Sequence, residues 1–277
     1  MEKIDRLGWA AGFAFSAYGV RAGVRVSDAA LVPRLFDLLP PGWKISRAAS
    51  VERLYSLVAG GACARAGARR YCLLYGDAER LARTHDLAEA LDALESDLKL
   101  YVAEGARRRL FVHAGVVGWR GAAILLPGRS FAGKTTLVAA LVRAGADYYS
   151  DEYAVLDGRG LVHLYTRPLS LRREGEPGAR ARVRASALGG REGARPLEIG
   201  LLVFSRYEPG ARWRPRSLSP GRGVLELLGH TVSARRRPER ALAALGLAAR
   251  GARALKGTRG EAEETAALIL GAAEKNM

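Results

Sequence analysis

Apolar and polar residues alternate around Phe13, Phe15, Tyr18, Val20 and Val24, which predicts two strands at the start of the chain. The stretch "SDAALVPRLFDLLPPGW" then predicts a helix, with Ser27 as its cap and Pro-Pro-Gly as its stop. "ERLYSLVAG" and "RRYCLLYGD" read as strands paired across a turn of small residues. After Asp86, apolar residues recur at Leu87, Leu91, Leu94, Leu98 and Val102. That spacing is helical and predicts a helix ending near residue 108. Residues 1–108 are accordingly expected to form a smaller N-terminal lobe of mixed α/β type.

The pattern changes from "LFVHAGVVGW" onward. Two apolar strands, 110–119 and 121–127, lead into a glycine-rich loop and the helical run "KTTLVAALVRAG". "ADYYSD", "EYAVLD" and "LVHLYTRPLSLR" read as further strands. The stretch from Arg173 to Pro196 is rich in Gly, Arg and Pro and predicts a surface excursion. "LEIGLLVFSRY" restores a buried strand, and "RWRPRSLSPGRGVLELLGHTV" reads as strand, turn and helix. Two more helical patterns finish the chain, and no internal repeat is found. The expected fold class is α/β (mixed α+β), with residues 109–277 as a second domain built around the loop.

The loop itself carries chemistry. Gly128, Arg129, Ser130, Phe131, Ala132, Gly133, Lys134 and Thr135 fit G-x-x-x-x-G-K-[ST], and Thr136 follows. Glycines let backbone N–H groups turn inward around phosphate oxygens, Lys134 can reach the β- and γ-phosphates, and the Thr135 hydroxyl can ligate Mg²⁺. An apolar strand before the loop and an amphipathic helix after it are the context this chemistry needs. Residues 128–136 are therefore the expected nucleotide-binding segment, with ATP and Mg²⁺ as the expected cofactors.

Binding alone transfers nothing; a carboxylate must hold the metal or activate the nucleophile. Asp151 and Glu152 stand only 17 and 18 positions beyond Lys134. A helix and a short turn would return the next strand beside the loop and bring both acids near the phosphates. A plain turn at this point would be expected to carry Gly or Pro. His113, in "FVHAG", precedes the loop strand, and Gly115 nearby would permit close backbone approach. His113 reads equally well as a core histidine and as a site group. His85, His163 and His230 have no comparable context.

Composition narrows the partners. The chain has 44 basic and 28 acidic residues, a formal net charge of +16, and only six of the basic residues are lysines. Asn occurs once and Gln never, a bias that fits either a thermophilic origin or an arginine-favouring, GC-rich genome. An anionic partner is the functional reading of the charge. The "RRR" clusters at 107–109 and 235–237 lack interleaved aromatics, which argues against nucleic acid. No apolar run is long enough to span a membrane, and the acidic opening does not read as a signal peptide. The expectation is a soluble cytoplasmic protein in which Cys63 and Cys72 are reduced thiols without metal partners. A homo-oligomer is left open.

His113 in "FVHAGVV", the loop "GRSFAGKTT" and the acid pair in "SDEY", in this order and at this short spacing, resemble the HPr kinase/phosphorylase family. That family's catalytic fold is related to phosphoenolpyruvate carboxykinases. The similarity covers roughly residues 109–232 and extends weakly to "SLSPGRGVLELL", which contains Arg222. The N-terminal part resembles only HPr-kinase-like proteins, some of which phosphorylate peptides. The resemblance implies a P-loop kinase domain and ATP-dependent phosphorylation of a serine hydroxyl. By position, Asp151 would be the base and Glu152 a metal ligand. Lys134, Ser130 and Thr135 would hold phosphates and Mg²⁺, and Arg222 would act at the transferring phosphoryl group. Arg129 and Phe131 stand where the family commonly has Asp and Gly, and Glu152 stands where it has Asp. These departures point away from HPr itself and towards another peptide or small protein as acceptor. A small-molecule kinase and a nucleotide sensor without turnover are the alternatives.

Overall fold

The computed structural model describes residues 3–6, 8–60, 70–128, 133–172 and 180–274. It is a mixed α/β structure that divides into two compact units, residues 1–107 and 108–277.

The first unit contains β1 (Ala11–Ala17), β2 (Val20–Val26), α1 (Val32–Phe36), β3 (Lys44–Ile45), β4 (Arg53–Val58), β5 (Cys72–Gly76), β6 (Glu79–Thr84) and α2 (Leu87–Gly105). Its six strands form one sheet in the order β3-β1-β2-β4-β5-β6. The first two strands turn through Tyr18 and Gly19, both at positive φ, as a tight hairpin requires. Alternate residues Phe15, Tyr55, Leu57 and Leu74 face one core with Leu94 and Leu98 of α2, as their helical spacing demands. The expected helix after Ser27 is reduced to a 3-10 turn capped by Asp28 and the five-residue α1. The Ser27 hydroxyl instead accepts from the Ala59 N–H at 2.9 Å. Cys72 is a buried free thiol, while Cys63 lies outside the described residues.

The second unit contains, in order, β7 (Leu110–Trp119), β8 (Ala122–Pro127), α3 (Lys134–Arg143), β9 (Asp147–Ser150), β10 (Tyr153–Leu156), β11 (Val162–His163), β12 (Leu169–Arg172), β13 (Arg180–Val183), β14 (Ile199–Tyr207), β15 (Arg216–Leu218), α4 (Pro220–Leu228), α5 (Pro238–Ala248), β16 (Arg253–Arg259) and α6 (Ala262–Glu274). Its main sheet has the order β11-β10-β7-β8-β14-β16-β15, with β9 also pairing β7. Strands β8, β14 and β16 are mutually parallel, so their C-terminal ends share one edge. Residues such as Ile124, Leu126, Leu201, Val203 and Leu255 face α3 and α6. Leu125, Leu202, Phe204 and Ala254 face α4 and α5. The result is a sheet covered by helices on both faces, which explains why its central strands are apolar almost throughout.

Two features differ from the sequence reading. The polar-looking run "RALKGTR" is the parallel strand β16, in the interior of the sheet order. Its polar members are accommodated by partners, Lys256 by Glu226 and Arg259 by backbone carbonyls. The described residues of the Arg-rich excursion are built into the domain. Residues 180–183 form a ribbon with β12, Ala185 is buried in the α3 core, and Arg191 pairs with Asp147.

Gly115 of β7 shows how closely α3 sits on the sheet. A Cβ built there would lie 2.5 Å from Val138 Cγ2. Gly115→Ala must therefore push the helix outward or force Val138 off its rotamer. Overpacking of this kind costs ~1–3 kcal/mol, and urea denaturation of the variant should show a loss in that range.

Candidate active site

Strand β7 is ten residues long and pairs along both edges. On one side it lies antiparallel to β8, with Ala114 opposite Pro127, and the His113 carbonyl accepts from the Gly128 N–H at 3.1 Å. On the other side β9 pairs at Val116 and β10 at His113. The returning strand thus lies beside β7, one strand removed from β8, and Asp151 and Glu152 occupy the break between β9 and β10. Ser150 explains the break: its buried hydroxyl accepts from the backbone N–H groups of Glu152 and Tyr153 at 3.1 and 3.0 Å.

This register brings the acid pair to the start of α3. Thr135 Oγ1 donates to Asp151 Oδ2 at 3.0 Å. Lys134 Nζ donates to the Gly128 carbonyl at 2.9 Å, closing the two ends of the loop, and it interacts electrostatically with Asp151 and Glu152. Burial lowers the Lys134 pKa, and the two acids oppose that shift. Gly133 has φ +74° and brings no side-chain cap, so the first N–H groups of α3 are left to other partners. Thr136 is exposed on the first turn of α3. Arg129, Ser130, Phe131 and Ala132 lie outside the described residues.

His113 joins the same cluster. Its ring lies 4.8 Å from that of Tyr153, tilted by 37°, and its backbone N–H donates to the His230 carbonyl at 2.8 Å. Its pKa is held below the ordinary histidine value, first by burial and then by the Lys134 charge. A neutral imidazole beside Glu152 and Lys134 is the consequence.

Tyr148, fully buried, was not singled out by the sequence. Its hydroxyl lies 3.0 Å from Asp151 Oδ1 and 2.8 Å from the Arg167 carbonyl. A phenol has one hydrogen, so both contacts are hydrogen bonds together only when Asp151 carries a proton and donates it. Burial likewise pushes the Asp151 carboxyl above its ordinary range, against the hydroxyls of Tyr148 and Thr135.

Arg222 is not brought to this cluster. It is exposed on the first turn of α4, which follows β15. Because β15 runs antiparallel to β16, Leu218 pairs Ala254, five residues before the loop-side end of β16. Among the described residues, Arg259 reaches the loop: its Nη2 donates to the Gly133 carbonyl at 3.0 Å. Only the topology reveals it, since "KGTRG" carries no motif. His230 was also missed, because its role runs through its backbone.

The donor set fits a hard cation bound with phosphate. Thr135, Asp151 and Glu152 offer oxygens, and among the described residues no group of three or more His, Cys, Asp or Glu side chains is arranged to hold a metal ion by itself. Mg²⁺ typically takes one or two carboxylates and completes its shell with phosphate and water. Charge is biased the same way: residues 108–277 hold 29 of the basic residues and 15 of the acidic ones, so most of the excess lies on the loop-bearing unit. No described helix is long and apolar enough to cross a membrane. No protein-family model matches the chain, and no curated protein matches it.

The Asp151 shift has a sign that can be measured. The folded protein holds this proton more tightly than the unfolded chain, whose pKa is near 3.8. The group's contribution to stability is therefore fully present below that value and lost as pH rises through the folded pKa. Asp151→Asn removes the ionisation while keeping the shape. Relative to wild type, the variant's melting temperature should rise from pH 4 to pH 8 in ligand-free protein. A relative fall over that range would show that ionised Asp151 is not a burden on the fold.

Proposed function

We propose that this protein is an ATP- and Mg²⁺-dependent kinase that phosphorylates a serine hydroxyl of a peptide or small protein. The observation that carries the reading is the 3.0 Å hydrogen bond from Thr135, at the start of the loop helix, to the carboxylate of Asp151. The contact supports the reading because it joins a hydroxyl able to bind a cation to a carboxylate able to accept a proton, and Lys134 interacts electrostatically with the same carboxylate.

In this reading the uncapped N–H groups of α3 and the Lys134 ammonium hold the phosphates. Thr135 and Glu152 hold Mg²⁺, which when bound neutralises charge on the phosphoryl oxygens. The serine Oγ attacks the γ-phosphorus, an O–P bond forms, and the bond from phosphorus to the β–γ bridging oxygen breaks to release ADP. The serine proton passes to the Asp151 carboxylate. A carboxyl whose pKa is raised towards the operating pH is a better acceptor than an exposed one. Tyr148 keeps that carboxylate oriented, and neutral His113 adds no charge to repel the metal. Phosphoryl transfer of this kind is catalysed mainly by positioning and charge neutralisation.

Two measurements test it. Mg·ATP should raise the melting temperature of wild-type protein, and Lys134→Ala should abolish the shift; no shift in wild type would overturn the nucleotide reading. With labelled ATP and serine-containing peptides, mass spectrometry should locate the label on serine. Asp151→Asn should slow that transfer by ~10²–10⁴ while Mg·ATP still binds. Equal rates in the two proteins would remove Asp151 as the base. Tight binding without transfer in either would favour the sensor.

A further inference from the structure

Arg259 ends β16 on the face covered by α3 and α6, and it is only 2% exposed. Its Nη1 donates to the Gly260 carbonyl and its Nη2 to the Gly133 carbonyl, both at 3.0 Å. Its Nε is buried without a hydrogen-bond partner. Glu261, the acid that acts on it electrostatically, accepts from the Tyr207 hydroxyl at 3.0 Å, and among the described residues no carboxylate forms an ion pair with Arg259. A guanidinium this buried, with no carboxylate paired to it and only the Tyr207 ring and Glu261 acting on its charge, is stabilised further by an added counter-charge.

Its position says what that would be. The Gly133 carbonyl also accepts from the Leu137 N–H at 3.2 Å, so it points along α3 into the helix. No described peptide is cis, so the Lys134 N–H on the other side of that peptide plane points the opposite way, out of the helix start. Arg259 thus grips the oxygen end of the peptide whose nitrogen end faces the loop. Donation to a carbonyl polarises the peptide and strengthens its N–H as a donor. The grip also excludes any side chain at Gly133, where a Cβ would lie 2.6 Å from Nη2.

We propose that Arg259 is a positioning residue of the phosphate site: it fixes the Gly133–Lys134 peptide with its N–H outward, and its buried charge is balanced by the phosphoryl oxygens of bound nucleoside triphosphate. This rests on the nucleotide reading above. The site's selectivity for a highly charged phosphate over a neutral ligand follows from it.

The test is calorimetric titration of Mg·ATP at low temperature into full-length wild type, Arg259→Met and Arg259→Lys, with ligand-free melting temperatures measured alongside. Arg259→Met should bind ~10–100-fold more weakly, the loss expected for one charge-assisted hydrogen bond. Arg259→Lys should recover part of the loss, because an ammonium can still donate to Gly133. If Arg259→Met melts lower but binds Mg·ATP as wild type does, Arg259 is merely structural and the proposal is overturned. If Arg259→Met does not fold, Arg259→Lys decides: roughly 3–10-fold weaker binding supports the proposal, and wild-type affinity overturns it. Absence of binding to wild type would overturn the nucleotide reading and this proposal with it, whereas binding to wild type with unaltered variants overturns this proposal alone.

Discussion

Pairing of β7 along both of its edges is the constraint from which the site follows. One edge holds β8 and so fixes where the loop begins; the other holds β9 and β10 and so fixes where the acids emerge. Neither relation depends on the side chains of the acids or the lysine, although the Glu152 carbonyl accepts from the Ala114 N–H at 3.2 Å. Backbone hydrogen bonds set the register, and the register leaves Asp151 and Glu152 facing the first turn of α3. The core enforces it from both faces: a one-residue slip would exchange the set of side chains under α3 with the set under α4 and α5. Gly115 then lets α3 settle close enough for Thr135 to reach Asp151.

Around that junction the protein tolerates several unfavourable electrostatic arrangements at once. Lys134 and Asp151 are partly desolvated, Arg259 is buried without an ion pair among the described residues, and α3 begins without a side-chain cap. Each is costly in isolation, and under the proposed function an anion with an accompanying cation would offset them. Donors and positive charge lie at the start of α3, and oxygens lie on the β9–β10 break. Stability elsewhere comes from burial of apolar side chains such as Leu137, Leu141, Leu201 and Ile269, each worth ~1.5–3 kcal/mol relative to exposure. A well-packed sheet of this kind can hold such a cluster in place before any ligand arrives.

Local signals in the chain determined a good deal. The spacing from Leu87 to Val102 specified α2, because helical periodicity needs no distant partner. The loop residues Gly128, Gly133, Lys134 and Thr135 and the acids Asp151 and Glu152 were legible as a candidate site, because glycine conformations and charged groups at fixed offsets act over a few residues. Strands β7 and β8 were legible because both of their faces are buried and the run is apolar. What the tertiary structure alone decided is which strands neighbour which, and so which distant side chains meet. Arg222 lay in the more suggestive segment, yet antiparallel pairing of β15 carries it away from the loop, and parallel pairing of β14 with β16 delivers Arg259 instead. Tyr148 and His230 were invisible for a similar reason: one acts through a hydroxyl buried by packing, the other through a backbone carbonyl that any residue could supply. The polar run of β16 hid a strand because Lys256 and Arg259 hydrogen-bond to partners 30 and 126 positions away. Local sequence sets conformation and chemistry over a turn or two, whereas strand order and burial depend on the free energy of the whole sheet.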